Sequence, residues 1–454
     1  MRRTKMKNKL VSFLVAVCVS VSLFACVPSF AAANKPSFQE VANGIISWKK
    51  SDVGSSSDGV LMNGKYLELA GTTPGDWYVI GLSRLNVADA YDEYLAVLRD
   101  RVEERYSEPG KLNSVKATEW HRITLSVLAA GGDPTSFGVC DGEKIDLVAD
   151  GTYNRGKTTS LGRQGINGWI WGLIALDSKR YTVPADAYYT RDDIITEILS
   201  RQLPDGGFAL SGAASDPDLT AMALQALAPY YNSEKTYTYE QKSIEKTVTK
   251  HVYDVIDEAL GRLSELQLDT GDFKSWGTEN VESTDQVMVA LCCLGIDPLT
   301  DKRFIKKGNT LYDGILRYRM KDGGFVHSYV YDPDNPSSLP DASNTMAGEQ
   351  TLYTMAALIR RENGRITADG AGNISEKALV SMNMNAPPDT AMITDTLEYP
   401  PSPENGDLAF PCFRLSKALR KAPAVIARDI KENLKTCGII EKAEVAGGYL
   451  NFCE

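Results

Sequence analysis

Apolar residues in this chain come in helix-length runs, separated by a turn that repeats. The clearest copy is Gln202-Leu203-Pro204-Asp205-Gly206-Gly207-Phe208, leading through Asp216-Pro217-Asp218-Leu219-Thr220-Ala221 into the apolar run MALQALAPYY. A second runs from Gln267-Leu268-Asp269-Thr270-Gly271-Asp272-Phe273 through Ser283-Thr284-Asp285 into VMVALCCLG. A third runs from Lys321-Asp322-Gly323-Gly324-Phe325 through Asn344-Thr345-Met346 into QTLYTMAALIR. Each unit predicts a helix, a Gly-rich exit, an aromatic plug, a polar cap and a second helix. Glycine suits the exit because it accepts positive φ. Asp218 or Thr220 in one unit, and Ser283 or Thr284 in the next, are expected to cap the incoming helix. That helix is apolar almost all round, as an inner helix covered by an outer one would be. Weaker units pass through Asp76-Trp77-Tyr78, through Trp120-His121-Arg122 up to Gly131-Gly132-Asp133-Pro134, and through Gly165-Ile166-Asn167-Gly168-Trp169-Ile170-Trp171. About six helical hairpins are thus expected between Phe38 and Arg361, and such hairpins bury their faces only by stacking.

The pattern decays after Glu362. Gly, Asn, Ser and Pro dominate to Pro388, so residues 362–390 read as a linker, with a short helix at Ser375 to Met384. A compact α+β segment follows over 391–454. Pro400, Pro401 and Pro403 give an extended entry to the Gly406-Asp407 turn. Leu408 to Phe413 reads as a strand, and Arg414 to Leu419 and Pro423 to Leu434 as amphipathic helices. Ile439 to Ala446 and Tyr449 to Phe452 form a hairpin about Gly447-Gly448. At the other end, Arg2, Arg3, Lys5, Lys7 and Lys9 precede the apolar stretch Leu10 to Ala25 and the small residues Ala31, Ala32 and Ala33. This is a signal-peptide layout for residues 1–33. Lipidation at Cys26 and an uncleaved anchor are the alternatives. No later segment is long and apolar enough to span a bilayer.

Composition narrows this picture only a little. With 43% apolar and 24% charged residues the chain is ordinary globular material, and its 454 residues allow two or three domains. A net charge of −10 excludes a general nucleic-acid-coating surface and leaves room for one local contact. The eight cysteines show no disulfide framework or zinc spacing, and Cys292-Cys293 sit in an apolar helical run as buried thiols.

The repeats resemble the α/α toroid of the terpenoid-cyclase and protein-prenyltransferase superfamily. They look most like secreted bacterial proteins with prenyltransferase/squalene-cyclase-like repeats. The resemblance implies a mainly α fold, an α/α toroid over 38–361. In its cyclases a D-x-D-D-T-A motif protonates the substrate. Asp216 and Asp218 match that motif here, but Leu219 replaces the last Asp, and capping a helix is the competing role. Its prenyltransferases hold zinc through Asp, Cys and His. With His121, His251 and His327 as the only histidines, no such set is expected, although His327 can face the toroid mouth. Ala347-Gly348-Glu349-Gln350 is similar to the complement-type Cys-Gly-Glu-Gln thioester, and Ala347 in place of the Cys removes that bond. The resemblance fits binding better than catalysis. A small molecule of corrinoid type, a glycan or a peptide is expected, with Trp169, Trp171, Phe208, Trp276, Phe325 and Tyr329 as candidate rim aromatics.

Glu398 to Phe452 resembles the N-terminal domain of arginyl-tRNA synthetase, the module that grips the tRNA elbow. The Gly-Gly-Tyr-x-Asn-Phe hairpin implies that Tyr449 and Asn451 meet a base of the tRNA(Arg) D-loop, one by stacking and one by its amide. Arg414, Lys417, Arg420 and Lys421 either meet phosphate or form a solvated helix face. Neither class I signature, His-x-Gly-His or Lys-Met-Ser-Lys-Ser, is present. ATP and Mg would belong to a synthetase catalytic domain, and the sequence stops where that domain would begin. No cofactor or metal is therefore expected, and aminoacylation by this chain alone is not. Three readings follow. One is an exported, secreted or cell-surface toroid binding protein with an appended, truncated synthetase module, from gene fusion or assembly error. The second is a cytoplasmic, accessory tRNA-binding protein. The third is a cyclase or prenyltransferase enzyme.

Overall fold

The computed structural model describes residues 35–57, 59–331, 333, 338–362, 408–415, 422–433 and 442–453. The proposed leader, the linker and the first part of the C-terminal segment lie outside these residues. Apart from a single turn at Gly64–Leu67, twelve α-helices described in the first part alternate between an outer and an inner layer. The outer ones are α1 (Phe38–Asp52), α3 (Tyr91–Tyr106), α5 (Leu147–Gly151), α7 (Arg191–Leu199), α9 (Val252–Leu266) and α11 (Leu311–Leu316). The inner ones are α2 (Thr73–Arg84), α4 (Thr118–Ala129), α6 (Ile166–Asp177), α8 (Pro217–Leu227), α10 (Val281–Cys293) and α12 (Thr345–Glu362).

Each inner helix packs on the next, and α12 returns to pack on α2, so the inner layer is a closed ring. The outer helices follow the same order. The Gly206 turn after α7 touches the carbonyl of Glu258 in α9. The Gly271 turn after α9 touches the carbonyl of Thr310, which caps α11. The Gly323 turn after α11 touches the carbonyl of Gly44 in α1. Tyr312 closes the same seam, with its hydroxyl on the Pro36 carbonyl at 2.6 Å and its ring edge-on to Phe38 at 4.9 Å. This is an α/α toroid of six hairpins.

Repeat chemistry explains the turns. Gly206, Gly271 and Gly323 have φ of 88°, 91° and 92°, where a side chain is strained. Phe208, Phe273 and Phe325 are fully buried behind them. Thr220 and Thr284 each accept the backbone N–H of that Phe, at 2.9 and 3.2 Å. The caps differ in part from the sequence expectation, which offered capping for Asp216 as the alternative to an acid role. Asp216, not Asp218 or Thr220, caps α8 through the Leu219 N–H; Asn280, not Ser283 or Thr284, caps α10 through the Ser283 N–H. Asn344 caps α12 through Met346. The real cap lies four residues before the Thr, whose hydroxyl is committed to the turn instead.

Short β-hairpins decorate the ring, one of them pairing Val139–Cys140 with Glu143–Lys144. Strands β1 (Thr236–Gln241) and β2 (Lys246–His251) form a six-residue hairpin before α9. Strands β3 (Phe273–Ser275) and β4 (Thr278–Asn280) form a shorter one ahead of α10. The C-terminal segment is a separate small α+β unit. Strand β5 (Leu408–Pro411) leads to a 3-10 turn at Cys412–Leu415, helix α13 (Pro423–Asn433), and strands β6 (Lys442–Ala446) and β7 (Tyr449–Cys453). Its antiparallel sheet has the order β5-β7-β6. Ile426, Ala427 and Ile430 of α13 are buried, as are Leu450 and Phe452 of β7.

Candidate functional site

All six inner helices contribute side chains to one central chamber that opens to solvent. Helix α2 supplies Trp77, Ile80 and Arg84, spaced i, i+3, i+7 on one stripe. Helix α12 supplies Tyr353, Ala356, Ala357 and Arg360, and α6 supplies Trp171, Ile174 and Asp177. Leu125, Gln225 and Cys293 complete the wall from α4, α8 and α10. Trp77 is the centre of an aromatic cluster, edge-on to Trp171 at 5.2 Å and to Tyr353 at 6.1 Å. Gln225 donates to Gln286 at 2.8 Å and Gln286 to Gln350 at 2.8 Å, a chain of amides across α8, α10 and α12. Asp177 is the one carboxylate of the lining. It is committed to Arg191 at 2.8 Å and to the Tyr230 hydroxyl at 2.6 Å. A concave, mostly apolar wall with a few polar groups is the usual form of a small-molecule site.

A second cluster lies at the amino ends of α8 and α10. Ser275 donates to the Asp216 carboxylate. Asp218 sits two turns ahead of Gln225 on the same helix face and is partly buried. Burial, and then the neighbouring Asp216 charge, push its carboxyl up to about 7. Glu282 is buried at 6% exposure and meets His327 at 2.8 Å; burial raises its carboxyl despite that partner. Burial also raises Asp285, which accepts from Thr351 at 2.7 Å, and Glu349. Ala347 and Gly348 lie in the first turn of α12, a helix start. His121 is buried against the Gly151 carbonyl at 2.7 Å, and burial lowers it to about 4. Among the described residues no three metal-ligating side chains converge.

The candidate rim aromatics divide. Phe208, Phe325 and Trp169 are buried packing residues, not rim residues, because the hairpin seams close over them. Trp276 is 77% exposed at the β3–β4 turn, Tyr329 is 52% exposed, and Trp171 lines the chamber. Trp77, Arg84, Tyr353 and Arg360 were not singled out from the sequence. Their i, i+7 pairing of aromatic with arginine on two apolar helices is the signal that marks them.

In the C-terminal unit, Tyr449 and Asn451 share one face of β7. Tyr449 is half-buried, with its ring edge-on to Phe413 at 5.5 Å; Asn451 is buried. Arg414 belongs to the Cys412–Leu415 turn. Lys417, Arg420 and Lys421 lie outside the described residues.

The architecture is therefore a mainly α toroid followed by a small α+β unit. The family described as the arginyl tRNA synthetase N terminal domain matches residues 374–453, so this segment is similar to that domain. Over 60 residues the chain is 48% identical to the arginine–tRNA ligase of Alkaliphilus metalliredigens (strain QYMF), covering 13% of this chain and 11% of the ligase. It is 52% identical over 60 residues to the ligase of Clostridium beijerinckii, covering 13% and 10%. The chain thus spans about a tenth of the length of these curated relatives. Among solved structures, the chain is similar to the type II terpene cyclase MstE from Scytonema in its apo form. That match has a TM-score of 0.40 and 12% identity, and covers 72% of this chain and 99% of the cyclase.

Proposed function

We propose that this chain is an exported α/α-toroid protein that holds a small, mainly apolar molecule in its central chamber and carries an appended tRNA-binding module. The observation that carries the first half is the chamber itself, walled by all six inner helices and centred on Trp77, Trp171 and Tyr353. Neutral apolar probes are expected to bind one per chain, and Ala357→Phe, which fills the wall, is expected to lower that affinity. Export rests on the leader Arg2 to Ala33. A reporter joined to residues 1–40 is expected to leave the cytoplasm; its retention would overturn export and favour a cytoplasmic tRNA-binding protein.

The tRNA reading rests on the match over 374–453. Tyr449 stacks on an unpaired D-loop base, with Asn451 beside it on the same strand. Stacking of one base is worth about 1–3 kcal/mol, so Tyr449→Ala is expected to weaken tRNA(Arg) binding about tenfold or more. Unchanged binding would remove the contact. The raised carboxyl of Asp218 beside Asp216 favours one further reading, a cyclase-type proton donor. On that reading alanine at Asp216 and Asp218 abolishes turnover of an isoprenoid substrate. Absence of turnover by the unaltered chain would sink it.

A further inference from the structure

We propose that the molecule held in the chamber carries a neutral hydrogen-bond donor, a hydroxyl or an amide N–H, and sets it against the side-chain oxygen of Gln225. This rests on the chamber being a binding site, and adds the polar chemistry of its ligand. Gln225 belongs to the chamber wall on α8 and is 5% exposed. A glutamine amide can be turned either way round, so its neighbours decide which atom faces where. Here Nε2 lies 3.2 Å from the backbone carbonyl of Gln286 and 2.8 Å from the Gln286 side-chain oxygen. A backbone carbonyl only accepts, so the group against it is N–H. The reverse orientation would set two carbonyl oxygens against each other. The direction carries on along the chain of amides. With its oxygen taken by Gln225, Gln286 turns its own Nε2 to the Gln350 oxygen at 2.8 Å. Both N–H bonds of Gln225 are thus committed, and what it has left for the chamber is an acceptor. That Oε1 accepts from no group among the described residues.

Other polar groups of the wall are occupied. Arg191 and Tyr230 hold Asp177, and the Ser178 hydroxyl donates to the Ala175 carbonyl at 2.7 Å. The Gln225 oxygen instead shares its wall with Trp171, Ile174 and Ala226, which offer it an apolar surround. Solvent entering the open chamber can serve that oxygen. A ligand that fills the chamber displaces the solvent and must replace its bond. A hydrocarbon, an ether or a ketone brings no donor and leaves the oxygen desolvated and unpaired. A hydroxyl or an amide N–H pairs it. An ammonium would pair it too, but Arg84 places positive charge on the same wall and opposes a second cation. A purely structural Gln225, tying α8 to α10, uses its nitrogen alone and gives no preference between ligands with and without a donor.

The test uses the full chain and two pairs of isomers. Decanol is paired with 1-methoxynonane, and N-methyloctanamide with N,N-dimethylheptanamide; only the first of each pair carries a donor. Calorimetric titration is expected to show the donor binding about tenfold or more tightly than its isomer in at least one pair, because the isomer leaves a buried acceptor unpaired. The pair with the larger ratio identifies the donor as hydroxyl or amide. Gln225→Met keeps the length of the side chain and removes its oxygen, and is expected to bring that ratio down to about one. Should this variant not fold, the ratios on the unaltered chain decide alone. Equal binding within both pairs, a ratio that survives Gln225→Met, or tighter binding of decylammonium than of decanol would overturn the neutral donor and leave the chamber reading standing. No binding of any probe, decanol included, would overturn the chamber reading itself.

Discussion

Asp218 and Asp76 show how burial sets the chemistry of single residues here. The Asp218 carboxyl is pushed up to about 7 by burial and by Asp216, whereas an unfolded chain would hold it near the ordinary value of about 3.9. Between those values the folded state binds the extra proton. Its contribution to stability is complete below about pH 4 and is lost as pH rises through 7. Asp218→Asn is therefore expected to flatten the pH dependence, with the variant gaining on the parent by about 2 kcal/mol from pH 5 to pH 8 in urea titrations. Parallel curves for the two proteins would refute this. Asp76 is fully buried on α2, where Arg122 donates to it at 2.8 Å and Tyr94 at 2.6 Å. Arg122→Ala leaves that carboxylate unpaired and is expected to cost about 3–5 kcal/mol at neutral pH. The loss should shrink toward pH 5, because burial already raises Asp76 and a proton can then replace the guanidinium. Asp216 stands beside Asp218 in the sequence, but the Ser275 and Ser283 hydroxyls near Asp218, and Tyr94 and Arg122 on Asp76, come from other hairpins and were not legible.

The hairpin is the element at which sequence and structure agree best. Gly206, Gly271 and Gly323 could be read because two independent demands fall on them, a left-handed φ and close approach of the next hairpin's backbone. A Cβ on Gly271 would collide with the Thr310 carbonyl oxygen, so Gly271→Ala is expected to cost more than about 2 kcal/mol and to lower the thermal midpoint. The caps were misplaced by two to four residues for a physical reason. Asp216, Asp218 and Thr220 can all accept an N–H, and only the turn geometry decides that Thr220 serves Phe208. Thr220→Val keeps the shape and leaves the Phe208 N–H without its acceptor, a loss expected near 1–3 kcal/mol and measurable by denaturant midpoint. Gln202 and Gln267 open the repeated turn in the sequence, but no role was read for them. Each amide bonds the turn's own Gly carbonyl, at 2.9 and 3.0 Å, and a carbonyl of the next outer element, Val255 at 3.2 Å and Phe304 at 3.1 Å. A glutamine whose partner belongs to the next repeat leaves no local signature.

At the scale of the whole chain, the number of hairpins was legible and the closure was not. Periodicity counts the helices, but nothing local says that α12 meets α2, or that Gly323 meets Gly44. The chamber follows from that closure, so the i, i+7 spacing at Trp77 and at Tyr353 gains its meaning only when both ends of the repeat region are brought together. Closure also has a consequence for stability. Lys35 pairs with Asp313, Tyr312 with Pro36, and Lys49 with Thr345 at 3.0 Å, so these seam contacts all lie within residues 35–362. A chain ending at Glu362 therefore retains every contact of the ring described above. Its thermal midpoint is expected to match the main transition of the full chain within about 2 °C, since about 1 kcal/mol moves a protein larger than 150 residues by only a few degrees. A fall of several degrees would mean that the C-terminal unit supports the toroid. Scanning calorimetry can also detect the unit itself as a smaller transition, present in the full chain and absent from the shortened one. The two proteins compared with tRNA(Arg) and with decanol complete the argument. If each unit works from its own core, the shortened chain loses the tRNA and keeps the apolar probe.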